Sequence, residues 1–224
     1  MGRAHEEATV TVTSHRQRLL KVGGGALLPE CDAVELIELT SHWGSLGGAL
    51  AELLTEKNGF YAFEASLLMR PLSHGALPLG VLQWNVPTLW KQDYSGALDL
   101  MLCFAEDAFG NQFALHQDGV VAINSETAEP EQVASSLEGW ARVVLEDYSY
   151  RTGYPLAHDW QLRHGPLQAG QRLLPKIPFV TGGAFEVDNL YAGSDIEGMR
   201  FRGSIARQIR DVPDGSQVVF RVKP

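Results

Sequence analysis

One short segment, residues 158–164, contains side chains that could support hydrolysis. His158, Asp159 and His164 offer the imidazoles and the carboxylate that general acid–base or metal chemistry uses. Their HDxxxxH order differs from HExxH, in which two histidines share one helical face. The wider spacing puts His158 and His164 on different faces of a helix, so we interpret them as ordinary surface or core histidines. A hydrolase stays a minor alternative, because the sequence also lacks a GxSxG nucleophile motif.

Other residue types that could bind a metal or a cofactor are sparse. Cys31 and Cys103 are the only cysteines, too few for a disulfide framework and too isolated for a zinc cluster. The glycine run at residues 23–25 lacks the GxGxxG spacing of a phosphate-binding loop and is more typical of a turn. We therefore predict no catalytic residue, no metal and no cofactor.

The charge distribution argues against nucleic acid as a partner, and it leaves open either a solvated acidic surface or an acidic surface that steers a basic partner onto it. The chain has 18 Lys and Arg against 27 Asp and Glu, a net charge of −9. Residues 93–147 carry 11 acidic side chains and one basic side chain, Arg142, a net charge of −10. Three of these carboxylates, Glu106, Asp107 and Asp118, flank predicted turns. Carboxylates there either cap backbone amides or contact a cationic partner, and both interpretations stay open.

An aromatic stretch, QWNVPTLWKQDY, precedes the acidic segment. It contains Trp84, Trp90 and Tyr94. Aromatic side chains fill protein cores, and they also anchor protein interfaces. We retain both interpretations and include the three residues among the candidate partner contacts.

The first third of the chain predicts a strand followed by a helix. Valine and threonine alternate over residues 9–13, which is typical of a half-buried strand, and we expect the glycine run at 23–25 to end it. Leucine and alanine recur at helical spacing over residues 46–54, and Asn58-Gly59 supplies a typical helix stop. The aromatics that follow predict a short buried strand or turn.

The middle of the chain predicts a β-meander and then a helix. Apolar runs within residues 98–123 indicate three consecutive antiparallel strands, with turns at Gly110-Asn111 and Asp118-Gly119. Ser135 and Glu138 have the spacing of a capping box, so we expect a helix to begin there. Its apolar residues fall on one face, which should pack on the sheet.

The last third predicts extended chain, a helix and a final strand. Asp195 can cap a helix that places arginines, Arg202 among them, away from its apolar face. Residues 217–222 alternate as in a strand. Together the elements predict an α+β fold, an antiparallel β-sheet flanked by helices, in a single compact unit. The strands predicted near the two ends could be sheet edges, so a homodimer formed by edge pairing stays open.

The central sequence resembles a known superfamily. The block CFAEDAFGNQFALHQDGVVAINSET, followed by VASSLEGWA, is similar to the Smi/Knr-type domain of the SUKH superfamily in its order of strands, turns and capped helix. Upstream, GGALAELLTEKNGFYAFEASLLMRPL resembles the first helix and the next segment of that domain. The resemblance extends over about residues 43–222, and Asp107, Phe109 and Gly110 match the turn of the family. It implies a core over residues 43–150 and a C-terminal extension over 151–224 packed on the core. Residues 1–42 lie outside the resemblance and leave open an added N-terminal strand or a partner-specific arm.

The resemblance implies a binding function. Bacterial members are typically immunity proteins, each of which neutralises a cognate toxin of a contact-dependent, type VI or other polymorphic toxin system. We therefore expect a basic partner, a toxin that targets nucleic acid, and no direct binding of nucleic acid. A regulatory scaffold that binds a cellular enzyme is the alternative, because the superfamily also has eukaryotic members in cell-wall regulation.

The sequence gives no sign of export or of membrane association. The first 17 residues lack the apolar run of a secretory signal, and no stretch approaches the length of a membrane span. We expect a cytoplasmic protein with no membrane partner.

Overall fold

The computed structural model of the protein describes residues 13–72, 77–213 and 215–216. The helices of these residues are α1 (His15–Val22), α2 (Ala33–Glu56), α3 (Val81–Trp84), α4 (Leu137–Glu146), α5 (Tyr148–Thr152), α6 (Tyr154–His164) and α7 (Asp195–Ile209). The strands are β1 (Phe60–Ala62), β2 (Leu67–Met69), β3 (Leu102–Asp107), β4 (Gln112–His116), β5 (Gly119–Ile123), β6 (Pro130–Ala134), β7 (Gln171–Pro175) and β8 (Leu190–Ser194).

The main sheet is an antiparallel meander. Strands β1 to β6 follow one another in chain order, and β7 and β8 form a second, two-stranded antiparallel sheet. The sheet and its helices confirm the predicted α+β class, and β3, β4 and β5 confirm the three predicted strands. Gly119 begins β5 at φ +138°, and an added Cβ would lie 2.2 Å from the Ala134 carbonyl oxygen. Only glycine fits this turn, because any side chain would collide with β6.

One face of the main sheet is apolar and lies beneath α1, α2 and α4. Its residues alternate along the strands, which is the period expected of a sheet with one face in the core. A register shift in β3 between Cys103 and Ala105 lets Phe104 and Ala105 both pack on this side. Trp140 of α4 meets Phe104 and Phe113 edge-on, with ring centroids 5.0 and 5.7 Å apart. We call this side the helical face.

The opposite face lies beneath α3, α7 and a short 3-10 turn at Lys91–Tyr94. Small and aliphatic sheet residues pack there against Met199 of α7 and against the aromatics of the 84–94 stretch. Arg70, Glu106 and Gln112 also lie on this side and are buried. We call it the ionic face.

The structure refines several predicted helix ends. The helix predicted over residues 46–54 is confirmed as part of α2, which begins earlier, at Ala33, and is kinked at Gly44. Residues 23–25 end a helix, α1, instead of a strand. The predicted Ser135–Glu138 capping box is wrong by one residue, because Ser136 caps α4 by accepting from the amide of Gly139.

The start of the last helix also differs from the prediction. Ser194 caps α7 by accepting from the amide of Glu197, and Asp195 turns its carboxylate towards Arg70. Arg202 was expected on an exposed face of this helix, but it is buried and donates to the carbonyls of Phe109 and Gly198. The carbonyl groups of a neighbouring turn and of its own helix supply the acceptors that make this burial tolerable.

Some predictions fall outside the described residues. The strand predicted around Val10 and Val12 and the strand predicted over residues 217–222 belong to this group. Among the helices of the described ranges, none combines the length and the apolar character needed to cross a membrane.

Candidate functional site

The three candidate aromatic residues belong to the core. Trp84, Trp90 and Tyr94 are completely buried. Their polar atoms bond internally: the indole of Trp84 donates to Gln112, that of Trp90 to the Trp84 carbonyl, and the Tyr94 hydroxyl to the Ser125 carbonyl. The prediction that they contact a partner is therefore wrong for this structure, because no surface of theirs is available.

Glu106 also lies inside the protein, in a buried cluster of charges. Its Oε2 lies 2.9 Å from Nη2 of Arg70, and its Oε1 lies 2.7 Å from Nε of Arg172. Nη2 of Arg70 also lies 3.2 Å from Oδ2 of Asp195. The four residues carry two positive and two negative charges, and all are at most 3% exposed. Glu106 is therefore not a partner contact.

The electrostatics of this cluster explain its structural role. Burial opposes ionisation of Glu106, but Arg70, Arg172 and a hydrogen bond from Gln112 outweigh burial and hold its pKa below the usual range. Burial and the neighbouring Glu106 charge raise the pKa of Asp195. Since Arg172 lies on β7 and Asp195 begins α7, the cluster fastens both elements to the main sheet.

Asp107, one residue further along β3, has a different environment. Its Oδ1 accepts from the amides of Phe109 and Asn111, and its Oδ2 accepts from the side chain of Asn111, all at 2.8 Å. It therefore caps the β3–β4 turn, as one of the two sequence interpretations had it. Burial raises the pKa of Asp107 to about 6, although these hydrogen bonds and Arg202 act in the opposite direction.

Asp118 lies at the other end of the same strands. It is exposed in the β4–β5 turn and, with Asp99, borders a cleft at the kink of α2. The acidic segment is thus divided: Glu106, Asp107 and Glu126 are buried, whereas the exposed carboxylates are spread over the α2 cleft, the first residues of β6 and the end of α4. The structure does not bring Glu106, Asp107 and Asp118 into one site.

The end of the sheet near Asp107 carries a second cleft, of about 950 Å³. It lies between the ends of β3 to β6 on one side and α5 and the start of α6 on the other. We call it the Asp107 cleft. Its polar lining includes Asp107, Asn111, Asn124, Glu129, Glu131 and Arg151, and its aromatic lining includes Phe109, Tyr150 and Phe185.

The rim of the Asp107 cleft combines exposed rings with exposed carboxylates. Tyr150 is 71% exposed and Phe185 is 68% exposed. Glu131 lies in β6, which is an edge strand of the sheet, and Glu129 directly precedes that strand. Glu131 pairs with Arg151, whereas the described residues offer Glu129 no ion-pair partner within 4.0 Å. Large exposed rings beside charged groups are typical of interfaces that bind proteins.

The histidines of the minor hydrolase alternative do not converge. His158 pairs with Glu64 at 2.7 Å, which raises the pKa of the imidazole, and His164 stacks on Trp160 with ring centroids 4.5 Å apart. Among the described residues, no group of three or more His, Cys, Asp or Glu side chains is placed to hold a metal ion. The geometry gives a surface contact for one histidine and a stacking contact for the other.

Sequence reasoning identified the acidic residues of the cleft but missed its other parts. Glu129 and Glu131 were counted in the acidic segment, whereas Tyr150, Arg151 and Phe185 were not considered as site residues. The run DYSYR at residues 147–151 is a signal that could have found two of them, because aromatic and arginine residues together are frequent at binding hot spots. Phe185 had no local signal, since only the fold brings its loop to this end of the sheet.

Comparison with known proteins establishes the fold only. No family model matches the chain, and no curated protein sequence matches it. Among solved structures, the crystal structure of Atu4351 from Agrobacterium tumefaciens is similar, with a TM-score of 0.57 over 83% of this chain and 86% of that chain. The two sequences are 13% identical. The chain therefore shares its α+β architecture with the Agrobacterium protein.

Proposed function

We propose that this protein is a non-catalytic immunity protein that binds and neutralises a basic bacterial toxin through the Asp107 cleft. The observation that carries the proposal is the rim of that cleft, where Glu129 and Glu131 accompany the exposed rings of Tyr150 and Phe185. Protein interfaces use this combination, since aromatic anchors contribute affinity and rim charges contribute on-rate and specificity.

The distribution of charge supports a basic partner. Residues 1–150 carry a net charge of −12, whereas residues 151–224 carry +3. Exposed arginines of the C-terminal part include Arg200 and Arg207 of α7, which covers the ionic face instead of lining the Asp107 cleft. At the cleft itself, the carboxylates of Glu129 and Glu131 outnumber the one guanidinium, that of Arg151, and a net negative rim would attract a basic surface.

The resemblance to Smi/Knr-type domains points to the same function. A toxin that cuts or modifies nucleic acid needs a basic cleft for its substrate, and an acidic protein can occupy that cleft. Such toxins act inside the cell, so we place the immunity protein in the cytoplasm.

Co-expression tests the proposal directly. The protein is produced together with the product of the neighbouring open reading frame, and cell survival and co-purification are measured in parallel. We expect rescue and a stable complex with the native protein. A neighbour that is not toxic, or a toxic neighbour without rescue, would overturn the immunity function.

A matched pair of variants then tests the surface. Glu129→Gln with Glu131→Gln removes two rim charges, whereas Glu146→Gln with Asp147→Asn removes two exposed charges that do not line the cleft. We expect the first pair to slow association with the purified toxin more than the second, and the difference to shrink as salt rises. Equal effects of the two pairs on the association rate would show that the toxin binds a surface other than the Asp107 cleft.

A further inference from the structure

The Asp107 cleft already holds one guanidinium group from the chain itself. Nη1 of Arg151 lies 3.1 and 3.3 Å from the two oxygens of Glu131, and the guanidinium carbon lies 5.2 Å from the ring centroid of Tyr150. The side chain of Arg151 is 20% exposed, so this is a partly desolvated contact. An arginine can therefore pair with a carboxylate and lie against a ring at this place.

A second carboxylate and a second exposed ring line the same cleft, and no arginine of the described residues pairs with that carboxylate. Glu129 has no basic partner within 4.0 Å among the described residues and accepts a bond from the Thr127 hydroxyl at 3.3 Å. Phe185 supplies a ring that is 68% exposed. Asn111 and Asn124 add side-chain amides to the cleft lining.

The loop that carries Phe185 is held in a defined shape. Phe185 stacks on Phe179 with ring centroids 3.9 Å apart, and Phe179 meets Phe109 edge-on at 5.7 Å. The side-chain amide of Asn189 donates to the carbonyls of Ile177 and Ala184, and the Val180 amide donates to Glu126. A ring fixed in this way loses little conformational entropy when a partner covers it.

From these contacts we infer that the Asp107 cleft recognises an arginine side chain of the partner protein, which pairs with Glu129 and lies against Phe185 beside the resident Arg151. This inference rests on the proposed function, because it specifies the partner chemistry of the same cleft. Arginine suits the site better than lysine, since its planar guanidinium stacks on rings and pairs with carboxylates through two nitrogens.

A small probe tests the recognition without the toxin. N-acetyl-arginine methylamide is titrated into the full-length protein, and the side-chain amide signals of Asn111 and Asn124 are followed by NMR. We expect saturable shifts of these signals, and weaker binding of N-acetyl-lysine methylamide by about two- to fivefold. Absence of saturation with the arginine probe, or equal binding of the two probes, would overturn the inference.

Variants locate the probe within the cleft. Glu129→Gln and Phe185→Ala should each weaken arginine binding about two- to fivefold, because each removes one exposed charge or ring contact. Glu146→Gln and Phe201→Ala are the matched controls, since both residues are exposed and neither lines the cleft. Equal losses in the test and control variants would also overturn the inference.

The outcome separates this inference from the immunity function. If the arginine probe binds in a way that depends on Glu129, but the product of the neighbouring open reading frame is not toxic, arginine recognition is supported and the immunity function is contradicted. Rescue that survives Glu129→Gln and Phe185→Ala, together with no probe binding, would keep immunity and remove arginine recognition.

Discussion

The two faces of the main sheet are both buried, but they are held by different forces. The helical face is packed by apolar side chains beneath α1, α2 and α4, with Phe104, Phe113 and Trp140 at its centre. The ionic face adds to its apolar contacts four charges, on Arg70, Glu106, Arg172 and Asp195. Apolar packing tolerates many replacements of similar volume, whereas a buried charge needs partners of opposite charge at specific positions.

This difference separates two tasks within the fold. On the helical face, helices such as α2 and α4 cover the meander, and the spacing of apolar residues within each helix is enough to predict it. The ionic face joins the meander to β7 and α7, which come later in the chain: β7 begins 37 residues after β6 ends, and the paired residues Glu106 and Arg172 are 66 positions apart. The cluster therefore specifies where the C-terminal elements dock, and its cost is the desolvation of four charges.

The largest effect is expected from Glu106→Gln. The variant leaves Arg70 and Arg172 buried with one carboxylate, that of Asp195, in contact with Arg70 only. Breaking a buried ion pair on one side destabilises a protein by about 3–5 kcal/mol, and we expect a loss of this size in urea unfolding at pH 7. Glu146→Gln is the control, because Glu146 is exposed and its ion pair is with Arg142 of the same helix. A loss for Glu106→Gln within about 0.5 kcal/mol of the control would contradict the structural role of the cluster.

On the helical face, Leu115→Ala is the corresponding change. Leu115 is completely buried, and its removal should cost about 3 kcal/mol through lost apolar contacts and the cavity left behind. The two variants should differ in their pH dependence. Glu106 has a lowered pKa in the folded state, so its contribution is present above about pH 4.3 and is lost as the pH falls towards its folded pKa. The loss of unfolding free energy caused by Glu106→Gln should therefore shrink in acid, whereas the loss caused by Leu115→Ala should stay constant. If both losses changed with pH in the same way, the two faces would not differ in the forces that hold them.

The same contrast explains which parts of the structure the sequence could predict. Apolar runs bounded by turn residues identified β3, β4 and β5, and helical spacing identified part of α2, because these patterns are local. They could not pair Arg70 with Asp195, which are 125 residues apart. The sequence also could not decide whether Trp84, Trp90 and Tyr94 fill the core or contact a partner, because an aromatic stretch looks alike in a core and at an interface. For the candidate site, composition revealed the acidic residues, whereas the ring of Phe185 depends on a tertiary contact with Phe179.

A third prediction concerns Asp107, which follows Glu106 at the end of β3 and lines the cleft. Its pKa is raised from 3.8 to about 6 on folding, so the folded state binds more protons than the unfolded state between these values. Stability from this group is therefore greatest below about pH 4 and is lost as the pH rises through 6, by roughly 2 to 3 kcal/mol. Asp107→Asn cannot titrate, so its stability should change less than that of the native protein across this interval. Chemical unfolding at a series of pH values measures the difference, and identical slopes for the two proteins would contradict the assignment.

The smallest effect is expected at a polar contact of the helical side, where Glu138 joins α4 to α1. Oε1 of Glu138 accepts from the amide of His15 at 2.6 Å, and Oε2 accepts from the amide of Arg16 at 3.2 Å, so this carboxylate caps the first turn of α1. Its side chain is 41% exposed, and water can replace part of what a substitution removes. Glu138→Gln keeps one acceptor oxygen and loses the charge that favours a helix N-terminus, so we expect a loss of about 0.5 to 1 kcal/mol. Glu138→Gln and Glu106→Gln make the same chemical change at two depths. Equal losses of unfolding free energy for the two variants would contradict the idea that burial makes the ion pairs of the ionic face important. The two faces would then differ only in how many charged partners each carboxylate has.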